Sequence, residues 1–202
     1  MKLIILASLI LLCSVLSNVI KRQKKESKTS EQTFWERERL ANSTRRKSLD
    51  GLEYITIPLD RFPKDIMQEN TIVAECVEII ETLSTQPVVN LTGYSNTDLK
   101  LEYGTANITP LTEYDQNYTL MVRTLQKWAD ILLEEGYTQE AETLMEFAVS
   151  TRTDISRTYY KLAELYACRL ETERVQALIA TAETLPSINK NTIVRTLQES
   201  YL

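Results

Sequence analysis

Apolar positions fall into three patterns along this chain. The first is an 18-residue run from Leu3 to Ile20, interrupted only by Ser8, Ser14, Ser17 and Asn18. As a helix it would extend about 27 Å, just enough to cross a bilayer. Lys21-Arg22-Gln23-Lys24-Lys25 comes directly after it, and only Lys2 precedes it. Positive flanks stay on the cytoplasmic side, so the pattern predicts a single-pass membrane protein with its body in the cytoplasm. The competing reading is a cleaved secretory signal, for which Ser14-Val15-Leu16-Ser17 is the cleavage candidate although it departs from small-x-small spacing; the body would then be an extracytoplasmic binding module.

The second pattern is mixed. Residues 21–50 combine charge with few apolar positions and read as a basic juxtamembrane helix or linker, with Phe34-Trp35 at the headgroup level. Leu52 to Ile57 alternates and stops at Pro58, which predicts a short strand or extended arm. A helical stripe then runs from Ile66 to Leu83. Between Pro87 and Asp115 the chain becomes rich in Asn, Thr, Asp and Tyr and holds Gly93 and Gly104, which predicts a long ordered loop. That loop either caps the helices or holds a ligand; Asn90, Tyr94, Asn96, Asp98, Lys100 and Tyr103 are the donors and acceptors it would use.

The third pattern begins at Tyr118 and repeats. Helices are predicted with breaks at Gly136, near Thr151 to Asp154, near Leu170 to Thr172 and at Leu185-Pro186, and then an amphipathic capping stretch through Ile193, Val194, Leu197 and Tyr201. Trp128-Ala129-Asp130-Ile131-Leu132 and Leu162-Ala163-Glu164-Leu165-Tyr166 lie 34 residues apart. Large residues recur at Leu125 and Tyr159, and small ones at Ala129 and Ala163 and at Ala148 and Ala182, while Ala141 is matched by Val175. Over residues 118–187 this period and pattern resemble the tetratricopeptide repeat family, with Thr153 and Ser187 near the places where that family often has proline and Leu170 in place of the turn glycine. The resemblance implies paired antiparallel helices and a protein-binding groove along the first helix of each unit. The groove residues would be Arg123 with Arg157, Lys127 with Lys161, and Asp130 with Glu164, with Tyr160 as aromatic anchor. The alternative for these charges is a solvated face with local pairing such as Lys127 to Asp130. Glu142, on a second helix, is expected to be exposed.

The fold class predicted is therefore mainly α: a transmembrane anchor over 1–20, the basic segment over 21–50, a helix and polar capping loop over 51–117, and helical hairpins with a C-terminal capping helix over 118–202.

Composition narrows the function. Residues 51–202 carry 12 Lys/Arg against 23 Asp/Glu, and such an acidic body does not suit nucleic acid. The chain has no histidine, which removes the commonest general base and zinc ligand. Cys13, Cys76 and Cys168 are widely spaced and form no metal or disulfide motif. No cofactor and no metal are expected. Asn-x-Ser/Thr triplets at Asn42, Asn90, Asn107 and Asn117 would accept sugars only inside a secretory lumen. Together these features predict a membrane-anchored, non-enzymatic scaffold for an unknown protein partner. The alternative is a ligand-binding or enzymatic module on the Asn90 to Tyr103 loop, with Asp98 as base and Lys100 or Tyr103 as electrophilic partner.

Overall fold

The computed structural model describes residues 31–201. The proposed anchor at 1–20 and the start of the basic segment lie outside the described residues. Among those that are described, the protein is mainly α-helical and forms no strand, and no helix is long and apolar enough to cross a membrane. The helices are α1 over residues 31–43, α2 (Thr71–Ser84), α3 (Asn96–Tyr103), α4 (Ile108–Glu134), α5 (Thr138–Ser150), α6 (Ser156–Cys168), α7 (Thr172–Glu183) and α8 (Lys190–Tyr201). They divide into two compact units.

The first unit holds α1 with the segment after it to Lys47, and residues Ser95 to Ile108. Here the structure corrects the expected loop: α3, a 3-10 turn (Thr105–Asn107) and the first residue of α4 occupy it. The cause is a capping box. Ser95 Oγ accepts from the Asp98 backbone N–H at 3.2 Å, and the Asp98 carboxylate accepts from the Ser95 backbone N–H at 2.9 Å. Two of the orphan donors at the helix start are thereby satisfied, and a polar segment becomes helical. Asn107 then ties the turn to the chain after α1. Its fully buried side chain donates to the carbonyls of Lys47 and Tyr103, each at 2.7 Å, and accepts from Arg46 Nε at 3.0 Å.

The second unit contains α2, α5 to α8 and α4 from Thr109 onward. Helix α2 starts five residues later than the apolar stripe, because Asn70 caps it by accepting from the N–H groups of Ile72 and Val73. Before that cap Met67 takes a left-handed φ of 59°. Helix α4 starts ten residues earlier than expected, because Pro110 falls in its first turn, where a missing N–H goes unfelt. The predicted strand is an extended arm: Tyr54 makes one isolated antiparallel bridge with Val89 and Ile55 N–H donates to the Val88 carbonyl at 2.9 Å.

The repeat governs the rest of the chain. α5 and α7 start 34 residues apart, at Thr138 and Thr172, and so do α6 and α8, at Ser156 and Lys190. Side chains keep the same register: Leu125, Tyr159 and Ile193 are buried, as are Ala129, Ala163 and Leu197. α8 thus extends the series α4, α6, α8 as a third first-helix, packed on α6 and α7. Its outward side is polar, as an end helix in a stack requires.

The turn at Leu170 also keeps register with Gly136, and both have positive φ, 59° and 86°. An L residue in that conformation is strained by about 1–2 kcal/mol. Leu170 is 88% exposed and packs on nothing that would offset this. Leu170→Gly should therefore raise stability by up to about 1 kcal/mol once the greater freedom of glycine in the unfolded chain is deducted. A rise in the thermal midpoint checks it; an unchanged or lower midpoint contradicts the strain.

Candidate functional site

The residues expected to line a groove do share one region, the flanks of α4 and α6, but most are committed to internal partners. Asp130 Oδ1 accepts from Arg157 Nε at 2.9 Å and from Gln126 Nε2 at 2.9 Å, while Gln126 Oε1 accepts from Thr158 Oγ1 at 2.5 Å. A polar ladder therefore joins α4 to α6. Lys127 does not pair locally with Asp130; its Nζ lies 2.9 Å from Glu75 on α2, and that bond raises its pKa. Lys161 pairs with Glu164 at 2.8 Å. Tyr160 is half-buried and its Oη reaches Thr196 Oγ1 at 3.4 Å, so it contributes to α6–α8 packing. Arg123 is exposed and forms no ion pair among the described residues.

The residues of the expected loop belong to different units. In the second, Asn90 spends its side chain internally: Nδ2 donates to Tyr118 Oη at 3.0 Å and to the Thr151 carbonyl at 2.9 Å, and Oδ1 accepts from Thr92 N–H at 2.9 Å. Burial pushes the Tyr118 phenol up to about 12, so this hydroxyl stays protonated as a hydrogen-bonding group. Tyr94 is half exposed. In the first unit, Asn96 opens α3 and is exposed. Asp98 is held below the usual carboxylate range by its bonds to Ser95 and by Arg37, 2.5 Å away. Lys100 pairs with Glu38 at 3.0 Å. The Tyr103 carbonyl accepts from Lys47 and Asn107. The capping and anchoring geometry accounts for the unusual composition of this segment.

No family model, curated protein or solved structure matches the chain.

Sequence reasoning missed one cluster altogether. Glu142, expected to be exposed, is 7% exposed. Its carboxylate lies 2.6 Å from Arg169 Nη1 and 2.7 Å from Arg174 Nη1. Arg174 further pairs with Glu146 and with Glu171, and its guanidinium stacks 4.0 Å from the centre of the Tyr166 ring. Helices α5, α6 and α7 are thereby fastened by one network. The signal available in the sequence was the concentration of Arg169, Glu171 and Arg174 beside the α6–α7 turn. Glu142→Ala should lower stability by about 2 kcal/mol, because it removes the carboxylate that Arg169 pairs with and one of the three that Arg174 pairs with; the loss falls below that of a fully buried pair since both arginines keep solvent contact. Glu171→Ala, at the rim, should cost under about 1 kcal/mol. Urea midpoints of the two variants decide whether the network hangs on Glu142.

Proposed function

We propose that this protein is a membrane-anchored adaptor without catalytic activity, which binds a protein partner through a tetratricopeptide-like array of helical hairpins. The observation that carries the reading is the constant 34-residue register of α4, α6 and α8, which repeats buried positions and brings charged positions, Arg123 with Arg157 and Lys127 with Lys161, to equivalent places on successive helices. Stacks of this kind offer extended surfaces of repeated geometry, suited to a peptide or a partner helix. The anchor rests on the apolar run from Leu3 to Ile20 and the basic flank after it, which also favour a cytoplasmic body. Against a ligand or enzymatic loop stands the internal engagement of Asn90, Asp98 and Lys100.

A photocrosslinking residue placed at the exposed Glu164 of α6, with a control at the exposed Ala180 of α7, tests the adaptor reading in cells. The expected result is one discrete protein adduct from position 164, absent from position 180 and lost when Arg157 and Lys161 are both changed to Glu. Equal capture from the two positions, or none from 164, would sink it.

A further inference from the structure

A groove of about 340 Å³ lies between α7 and α8, lined by Glu183, Lys190, Asn191, Val194, Arg195 and Gln198. Each of these stands 34 residues beyond a residue of the α5–α6 layer; Val149, Tyr160 and Lys161, for example, correspond to Glu183, Val194 and Arg195. On that earlier layer the equivalent surface is covered in part, with Arg157 and Glu164 left exposed. Val149 is buried there, and α8 packs on α6 with Tyr160 reaching Thr196. The groove is the same helix-accepting surface, one step along the stack and open.

Its chemistry has changed with the step. Burying Val149 suits an apolar neighbour, whereas Glu183 and the cations beside it suit a charged one. Lys190 and Arg195 make no ion pair among the described residues, and the side chains of Asn191 and Gln198 make no hydrogen bond among them. At about 100° per residue the five groove residues of α8 fall within an arc of roughly 140°, so they form one face. Along the axis Lys190 and Arg195 are separated by about 7.5 Å. Two unpaired cations with donor amides between them complement carboxylates set four or five residues apart on an apposed helix, with Val194 left for an apolar residue.

From this we infer that the α7–α8 groove docks an acidic amphipathic helix of a partner protein, which extends the stack by one element. The inference rests on the adaptor reading and assigns it an occupant: the partner presents carboxylates to Lys190 and Arg195 rather than basic or purely apolar residues.

The test uses the full-length chain in zwitterionic nanodiscs, with empty discs subtracted. Two labelled peptides of about 18 residues, roughly five turns, share a leucine stripe and carry either Glu or Lys at flanking positions four apart. Fluorescence anisotropy should show the Glu peptide binding at least about tenfold more tightly. The double variant Lys190→Glu, Arg195→Glu should reverse the preference, while Arg61→Glu, at an exposed position on the arm before α2, leaves it in place. The groove positions, Lys190 half-buried and Arg195 exposed, are replaced without touching Ile193 or Leu197, and circular dichroism confirms that the variants fold. Binding that ignores the groove variant but disappears with the α6 variant Arg157→Glu, Lys161→Glu overturns the inference and leaves the adaptor reading standing. Absence of binding by either peptide also overturns it, and the crosslinking from position 164 then decides the adaptor reading separately. Concentration-dependent self-association that the groove variant abolishes would make a second copy the occupant, and that too overturns the proposal.

Discussion

Trp128→Ala should cost about 3–5 kcal/mol, the range for removing a large ring from a closed core. Trp128 is wholly buried in the last third of α4. Phe62 meets it edge to face, with ring centres 6.2 Å apart, and Phe62 in turn meets Phe147 of α5 at 5.3 Å. This aromatic chain connects the arm before α2 to the first hairpin, so the cavity would open where three segments converge. A domain of this kind has about 5–15 kcal/mol of stability in total, and the variant should sit near the edge of folding. Trp128→Phe separates the contributions. It loses volume, but it also removes an indole N–H that is buried without a hydrogen-bond partner among the described residues, a group whose desolvation costs about 1–3 kcal/mol. The two effects oppose, and the net loss should stay under about 1.5 kcal/mol. Denaturant midpoints for both variants test the pair; a Trp128→Ala loss below about 1 kcal/mol would show that the core does not close around this ring.

Gly104→Ala should be comparably damaging, by a different route. Gly104 has φ 86° and ψ 150°, a region that residues with a side chain enter at about 1–3 kcal/mol. A β-carbon there would stand 2.5 Å from the Arg45 carbonyl oxygen, and since the obstacle is backbone it cannot rotate away. The combined loss should reach about 3 kcal/mol or more. Gly136 supplies the internal control: its φ is also 86°, but a β-carbon would meet nothing within 4 Å. Gly136→Ala should therefore cost only the conformational part, about 1 kcal/mol. Hydrogen exchange locates the damage, with Gly104→Ala expected to strip protection from α3 while α5 to α8 keep theirs. Equal effects of the two substitutions would mean that the Arg45 contact does not constrain Gly104.

The difference between these two glycines reflects what periodicity can and cannot reveal. Burial at Leu125, Trp128, Ala129, Tyr159, Leu162 and Ala163 comes from spacing alone, because a stacked hairpin must bury the same positions in each unit. The mainly helical class and the breaks at Gly136 and Leu170 were legible for that reason. Helix α3 was not. Its residues are polar, and Ser95 and Asp98 resemble turn chemistry unless they are taken together as a reciprocal cap. The pairs that hold the first unit, Arg37 with Asp98 and Arg46 with Asn107, join residues 61 positions apart, a distance across which no local pattern carries information. The same limit applied at the candidate face. Local rules paired Lys127 with Asp130, yet each found its partner on another helix, Glu75 and Arg157.

The asparagine bonds have a consequence for surface chemistry. A sugar is transferred to the side-chain amide nitrogen, which must be free and reachable. Three of the four acceptor triplets have that nitrogen hydrogen-bonded to another part of the chain: Asn90 donates to Thr151, Asn107 to Lys47 and Tyr103, and Asn117, at the surface, to Pro87. Glycan at any of them would displace a bond that joins separate stretches of chain. Asn42, exposed on α1, is the acceptor whose amide makes no hydrogen bond among the described residues, so a glycan there would disturb none of the bonds that join separate stretches of chain.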